Sequence, residues 1–211
     1  SRSGLSSTKW RRHGAPSRTG AGRAAPRGKQ MTEEGASIPL PLTMLPWHGS
    51  ARARLEAAVE SKRLPHAVLL HGPAGVGKEQ FATALAAALF CTNRGATLVA
   101  CGECADCGLS RAGSHPDLHW LRRLEDKKSI SVDQVRDACE QLAMTSMRRG
   151  HRIAIVVPAQ AMTVNAQNAL LKTLEEPAAR TLLVLVTARP SRLLATLRSR
   201  CQRIEIARPP R

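Results

Sequence analysis

Gly72-Pro73-Ala74-Gly75-Val76-Gly77-Lys78-Glu79 fits the pattern G-x-x-x-x-G-K. Glycines at these places let backbone N–H groups line a phosphate-sized nest at a helix N-terminus, and the lysine reaches the β- and γ-phosphates. Gly72, Gly75, Gly77 and Lys78 are therefore candidate nucleotide-binding residues. The residue after the lysine ordinarily supplies a hydroxyl to Mg²⁺, but Glu79 stands there. A carboxylate can ligate Mg²⁺, yet it also repels phosphate at short range. A working site further needs a carboxylate at the end of a neighbouring strand, to hold the metal and polarise the attacking water. No Asp or Glu occurs between Glu140 and Glu175. ATP with Mg²⁺ is accordingly not expected to be hydrolysed in this chain's own site.

A second constellation is Cys91, Cys101, Cys104 and Cys107, spaced C-x9-C-x2-C-x2-C. Paired C-x2-C knuckles bring sulfurs close enough for tetrahedral Zn²⁺, and Cys91 closes the set from a helix end. Four thiolates leave no open coordination position, so such a zinc is structural. Disulfides are the competing reading. Reduced thiols in a cytoplasmic protein, and the spacing itself, favour metal. Cys139 falls on an apolar helical stripe and reads as core.

The elements that must position these residues follow from periodicity. Residues 66–71 form a compact apolar run ending at the glycine loop, and residues 79–90 continue it as an Ala/Leu helix. Residues 51–60 read as a short helix, residues 91–116 as irregular, and residues 117–121 as a strand. Ser131 is an expected N-cap with Gln134 as capping-box partner. Val132, Val135, Cys139 and Leu142 lie on one stripe of the helix that follows. Residues 152–157 and 181–187 are apolar without alternation, as in a parallel sheet covered on both faces. A helix over 164–174 ends before Pro177, a short helix spans 193–197, and a last strand spans 202–206. Five strands alternating with helices predict an α/β, three-layer P-loop fold with a mostly parallel sheet.

Composition narrows the class. Hydrophobic residues make up 43% of 211 and aromatics only 2%, so the core must be built from Leu, Val, Ile and Ala. No apolar run approaches the length of a membrane-spanning helix. The net charge is +16, and eight of the basic residues lie among residues 1–30, which contain no acid. Residues 1–43 are thus expected to be a disordered basic leader, a tag, or upstream sequence from a misplaced start. The P-loop domain is expected over residues 44–208, with the zinc module of residues 91–107 inserted in it.

Together with the P-loop and the cysteines, Asn168-Ala169-Leu170-Leu171-Lys172-Thr173-Leu174-Glu175-Glu176-Pro177 and Ser199-Arg200-Cys201 resemble the bacterial clamp-loader AAA+ subunits of DNA polymerase III. The resemblance covers roughly residues 45–208. Within that family the motor branch, gamma/tau, keeps Lys-Ser/Thr and Asp-Glu, whereas this chain has neither. His115-Pro116-Asp117 and Val132-Asp133-Gln134-Val135-Arg136 resemble the delta prime branch. The resemblance implies that Arg200 is a finger aimed at ATP held by a neighbouring subunit, where such arginines are worth about 10³–10⁵ in rate. It implies that Thr187 matches sensor 1, that Cys201 packs in the sheet, and that lid and collar domains would follow residue 211. It further implies gamma/tau and delta as partners, with the sliding clamp and primed DNA met through the assembled complex. Polymerase activity would belong to that complex, not to this chain. The alternatives are an active DNA-stimulated ATPase of gamma/tau type and a zinc-dependent nucleic-acid-binding module.

Overall fold

A computed structural model describes residues 40–209 apart from Ala96, Asp126 and Arg149. Most of the proposed leader, residues 1–39, lies outside the described residues. Five strands make one sheet: β1 (Ala67–His71), β2 (Leu118–Leu121), β3 (Arg152–Val156), β4 (Thr181–Thr187) and β5 (Gln202–Glu205). Their order is β2-β3-β4-β1-β5, and every pairing is parallel. Ala67 aligns with Leu183, His71 with Thr187, and Val68 with Gln202.

The described residues form six α-helices, the first preceding β1 and the others lying between strands: α1 (Gly49–Glu60), α2 (Lys78–Phe90), α3 (Ala105–Arg111), α4 (Val132–Ala143), α5 (Val164–Glu175) and α6 (Ala195–Ser199). Two apolar clusters lie on the two faces of the sheet. Val68, Leu70, Ile153, Ile155, Leu182 and Val184 face α1 and α2, while Leu69, Ala154, Val156, Leu183 and Leu185 face α4, α5 and α6. Because successive strand residues point to opposite faces, strands buried on both sides must be apolar throughout. That is why β3 and β4 lack polar alternation. With few aromatics available, α2 packs through small side chains; Ala82, Ala84, Ala86, Ala87 and Ala88 are all buried around Phe81 and Leu85.

Helix termini follow local chemistry. Ser131 caps α4, its Oγ accepting from the Gln134 amide at 3.3 Å while Gln134 Oε1 accepts from the Ser131 amide at 3.0 Å. Thr163 caps α5 by its side chain alone, accepting from the Ala166 amide at 3.1 Å. Helix α5 stops two residues before Pro177, since the residue preceding a proline is driven out of helical geometry.

Three local expectations are revised. The stretch over 91–116 is not wholly irregular, because α3 forms directly after the cysteine knuckle. The short helix expected over 193–197 lies two residues later, as α6, and a separate 3₁₀ turn, Pro190–Arg192, precedes it. The stripe of α4 is centred on Val135, Ala138 and Leu142, which leaves Val132 and Cys139 only partly buried at its margin. Among the described residues no helix is long and apolar enough to cross a membrane.

Candidate phosphate cradle and cysteine centre

The glycine loop joins β1 to α2. Gly72, Gly75 and Gly77 have φ of 147°, 80° and 80°, a region that side chains with a Cβ rarely enter. Close approach adds a second requirement at two of them. A Cβ on Gly72 would lie 2.2 Å from the Ile206 carbonyl oxygen, and one on Gly77 would lie 2.5 Å from Leu45 Cδ1. The loop is held from outside by the 3₁₀ turn Pro46–His48. Trp47 Nε1 and His48 Nε2 both donate to the Val76 carbonyl at 3.1 Å, while His48 Nδ1 accepts from the Leu45 amide at 3.1 Å. Burial holds His48 below the ordinary histidine range, in keeping with a neutral ring in these roles.

Lys78 is 8% exposed, and its ammonium turns back into the loop, donating to Gly72 O at 3.0 Å and also to Pro73 O. Burial lowers its pKa. Glu79, in the first turn of α2, pairs with Arg122, which follows β2. The Arg122 guanidinium also lies 4.3 Å above the Trp120 ring. A cleft of about 370 Å³ opens beside this pair, with Lys127, Val157 and Pro158 in its wall. Val157 and Pro158 stand just past the end of β3, where a P-loop ATPase carries its metal-holding carboxylate. The carboxylates that line this cleft are Glu79 of α2 and Glu125 from the segment after β2, and β3 brings none. Thr187, at the end of β4, is 1% exposed; its hydroxyl donates to Gln160 Oε1 at 2.6 Å and accepts from the Arg189 amide at 3.0 Å.

The four cysteines converge. Their Sγ atoms all lie within 4.8 Å of one another. The Cys101–Cys107 and Cys91–Cys104 sulfurs are each 3.9 Å apart. A tetrahedron with metal–sulfur bonds of about 2.3 Å has edges of about 3.8 Å, so the residues fit a metal of zinc's size. All are free thiols, and these separations are far beyond a sulfur–sulfur bond. Backbone amides support the sulfurs: Cys101 N donates to Cys91 Sγ and Cys104 N to Cys101 Sγ. Burial pushes the Cys107 thiol up to about 12. Burial also raises Cys104, but hydrogen bonds from Thr92 and Cys107 outweigh it and bring that thiol to about 5.

A buried polar network behind this centre had no signal in residue spacing. Asp106, on α3 between two of the cysteines, pairs with Arg148 and faces His115 Nε2 at 3.5 Å. His115 stacks on Phe90 with ring centroids 3.7 Å apart. Asp117 is fully buried and accepts from Ser146 Oγ, Met147 N and Arg148 N at 2.9 to 3.2 Å. The His115-Pro116-Asp117 segment thus ties the cysteine module and the loop over 144–150 to the start of β2.

Arg200 lies elsewhere. It follows α6 and precedes β5, and the parallel β1–β5 register sets it level with the start of β1, at the end of the strands opposite the glycine loop. Its side chain is 37% exposed, pairs with Glu175 of α5 at 2.7 Å and donates to Thr196 O at 3.1 Å. Cys201 beside it is buried, and burial pushes its thiol up to about 11.

Comparison with known proteins brings these features together. Residues 47–210 match the family described as DNA polymerase III, delta subunit. Over 156 residues, 74% of this chain, it is 46% identical to the DNA polymerase III subunit delta' of Pseudomonas aeruginosa, covering 46% of that protein. It is 39% identical to the same subunit of Escherichia coli K12 over 78% of this chain and 49% of that protein. The chain thus spans about half the length of these relatives. A more distant relative, the tau subunit of Bacillus subtilis, is 32% identical over 73% of the chain and 27% of its own length. Among solved structures, a gamma subunit-related protein of Thermotoga maritima shares the fold, with a TM-score of 0.52 and 21% identity over 74% of this chain and 46% of that one. The chain belongs to the DNA polymerase III delta prime family, related to gamma/tau.

Proposed function

We propose that this chain is a clamp-loader subunit of DNA polymerase III that acts as a hydrolysis-defective stator. Its AAA+ domain, residues 44–208, docks against an ATP-loaded motor subunit and offers Arg200 to the nucleotide held there. The observation that carries the reading is the exposed guanidinium of Arg200 at the end of the strands remote from its own glycine loop. Five strand residues separate the two ends, about 17 Å of strand, so this cation has no reach to its own cradle. A guanidinium facing a neighbour's γ-phosphate offsets charge that develops there as the bond to the leaving group breaks. The pair with Glu175 is no obstacle, since exposed ion pairs contribute only about 0–1 kcal/mol.

The chain's own cradle keeps its shape without the groups that fire it. Gly72, Gly75, Gly77 and Lys78 form the nest, but Val157 and Pro158 stand where a metal-holding acid is required. Thr187, the sensor 1 match, is bonded to Gln160 and has no acid to work beside. Cys91, Cys101, Cys104 and Cys107 would hold a structural zinc, which fixes α3 to the end of α2. Partners are the gamma/tau and delta subunits, with the sliding clamp and primed DNA engaged through the assembly, as befits a cytoplasmic replication protein.

The test is reconstitution of the loader with Arg200→Ala. Hydrolysis of the nucleotide that this residue faces should fall by about 10³-fold. Unchanged turnover refutes the finger. Phosphate release by the isolated chain separates the rival motor reading: a stator releases none, whereas an active gamma/tau-type ATPase turns over by itself.

A further inference from the structure

Glu79 occupies the place from which a P-loop ordinarily holds Mg²⁺, and Arg122 occupies Glu79. We infer that Arg122 is the specificity-determining residue of this cradle: a built-in cation that competes with Mg²⁺ for the Glu79 carboxylate and so keeps magnesium-bound nucleoside triphosphate out. The inference deepens the stator reading and rests on it only in treating the cradle as inactive.

Three contacts make Arg122 a placed group. Its guanidinium pairs with Glu79 and lies 4.3 Å over the face of Trp120, where a cation is attracted to the ring. Its carbonyl oxygen accepts from Gln134 Nε2 at 3.0 Å, and Gln134 is the capping-box residue of α4. The chain between β2 and α4 is thereby pinned so that Arg122 meets the first turn of α2. The two charged residues are 43 positions apart in sequence, so their contact is a product of the fold.

Charge then decides what the cradle accepts. Lys78 donates to Gly72 O and Pro73 O instead of reaching across the nest. A metal entering with a triphosphate needs a ligand on α2, and the carboxylate available, 44% exposed, is already paired with a guanidinium held over Trp120 and itself 46% exposed. Past β3, Val157 and Pro158 bring no carboxylate, and the other acid on the cleft, Glu125, stands among Arg122, Arg123 and Lys127. Freed of Arg122, Glu79 would attract Mg²⁺ while still repelling a triphosphate that arrives without it. The gate is therefore a metal-dependent one.

The experiment is calorimetric titration of the isolated chain with ATP, once with Mg²⁺ and once with EDTA, for the wild type, Arg122→Ala and Glu79→Thr. Arg122→Ala should bind Mg-ATP about two- to fivefold more tightly than wild type, as the loss of a half-exposed ion pair allows, and the gain should vanish in EDTA. Glu79→Thr, which restores a hydroxyl ligand and removes the carboxylate, should also gain at least about tenfold with Mg²⁺. Melting curves identify any variant that fails to fold, in which case Arg122→Gln replaces Arg122→Ala. Equal affinity of wild type and both variants for Mg-ATP overturns the inference, as does a gain by Arg122→Ala that survives EDTA. Neither result touches the stator reading, which stands or falls with Arg200 in the assembled loader.

Discussion

Single residues in this chain are committed to backbone geometry as much as to chemistry. Gly72 is the clearest instance. Its φ of 147° and the Ile206 carbonyl 2.2 Å from an added Cβ leave room only for hydrogen. Gly72→Ala should therefore lower the stability of the chain by about 2–3 kcal/mol, through backbone strain together with displacement of the end of β5. Urea unfolding midpoints of the two proteins measure this directly. A midpoint within error of wild type would mean that β5 and the loop separate freely. Arg200 is a different case, since its pair with Glu175 is half in solvent and anchors nothing. Its substitution should change a neighbour's hydrolysis while leaving this chain's own melting temperature alone.

At the scale of elements, the loop over 144–150 depends on one carboxylate. Asp117 is fully buried, collects donors from Ser146, Met147 and Arg148, and lies 3.7 Å from Arg152 Nε. Removing it leaves those donors and the Arg152 cation without a counterpart in a dry environment. Asp117→Ala should cost about 3–5 kcal/mol, as other broken buried charge pairs do. Amide hydrogen exchange should locate the damage, with Met147 and Arg148 losing protection before the strands do. The same loop contacts α3 through Arg148 and Asp106, so the cysteine module and the edge of the sheet are mechanically continuous. Met144 and Met147 stay exposed on that loop, at 55% and 77%, and the network fixes the backbone that carries them.

Over the whole molecule, two cores on opposite faces share one sheet, and the cysteine centre ties α2, which lines the first of them, to α3. If the centre holds zinc, adding a chelator to the purified chain should lower its melting temperature by about 4–8 °C. That shift corresponds to about 2 kcal/mol, the linkage expected for a ligand well above its dissociation constant. Cys107→Ser, at the most buried of the four sulfurs, should reproduce the loss and abolish the response to chelator. A melting temperature indifferent to both would show that the thiols stand together without a metal.

The boundary between what the chain announces and what its folding decides runs through particular residues. Sheet class, the five strands, the capping box at Ser131 and the cysteine set were legible because each depends on neighbours within a few positions, or on an apolar periodicity that burial enforces. Helix α3 was missed, since seven residues rich in polar and small side chains carry no periodic signal and are held in place by the knuckle beside them. The strand order β2-β3-β4-β1-β5 and the contact between Glu79 and Arg122 were not legible at all. So too were the union of Asp106, His115, Asp117 and Arg148, and the end of the strands to which Arg200 falls. Each joins residues far apart in the chain, and pairing at long range is set by which apolar faces cover one another, a choice that residue types and spacing do not encode locally.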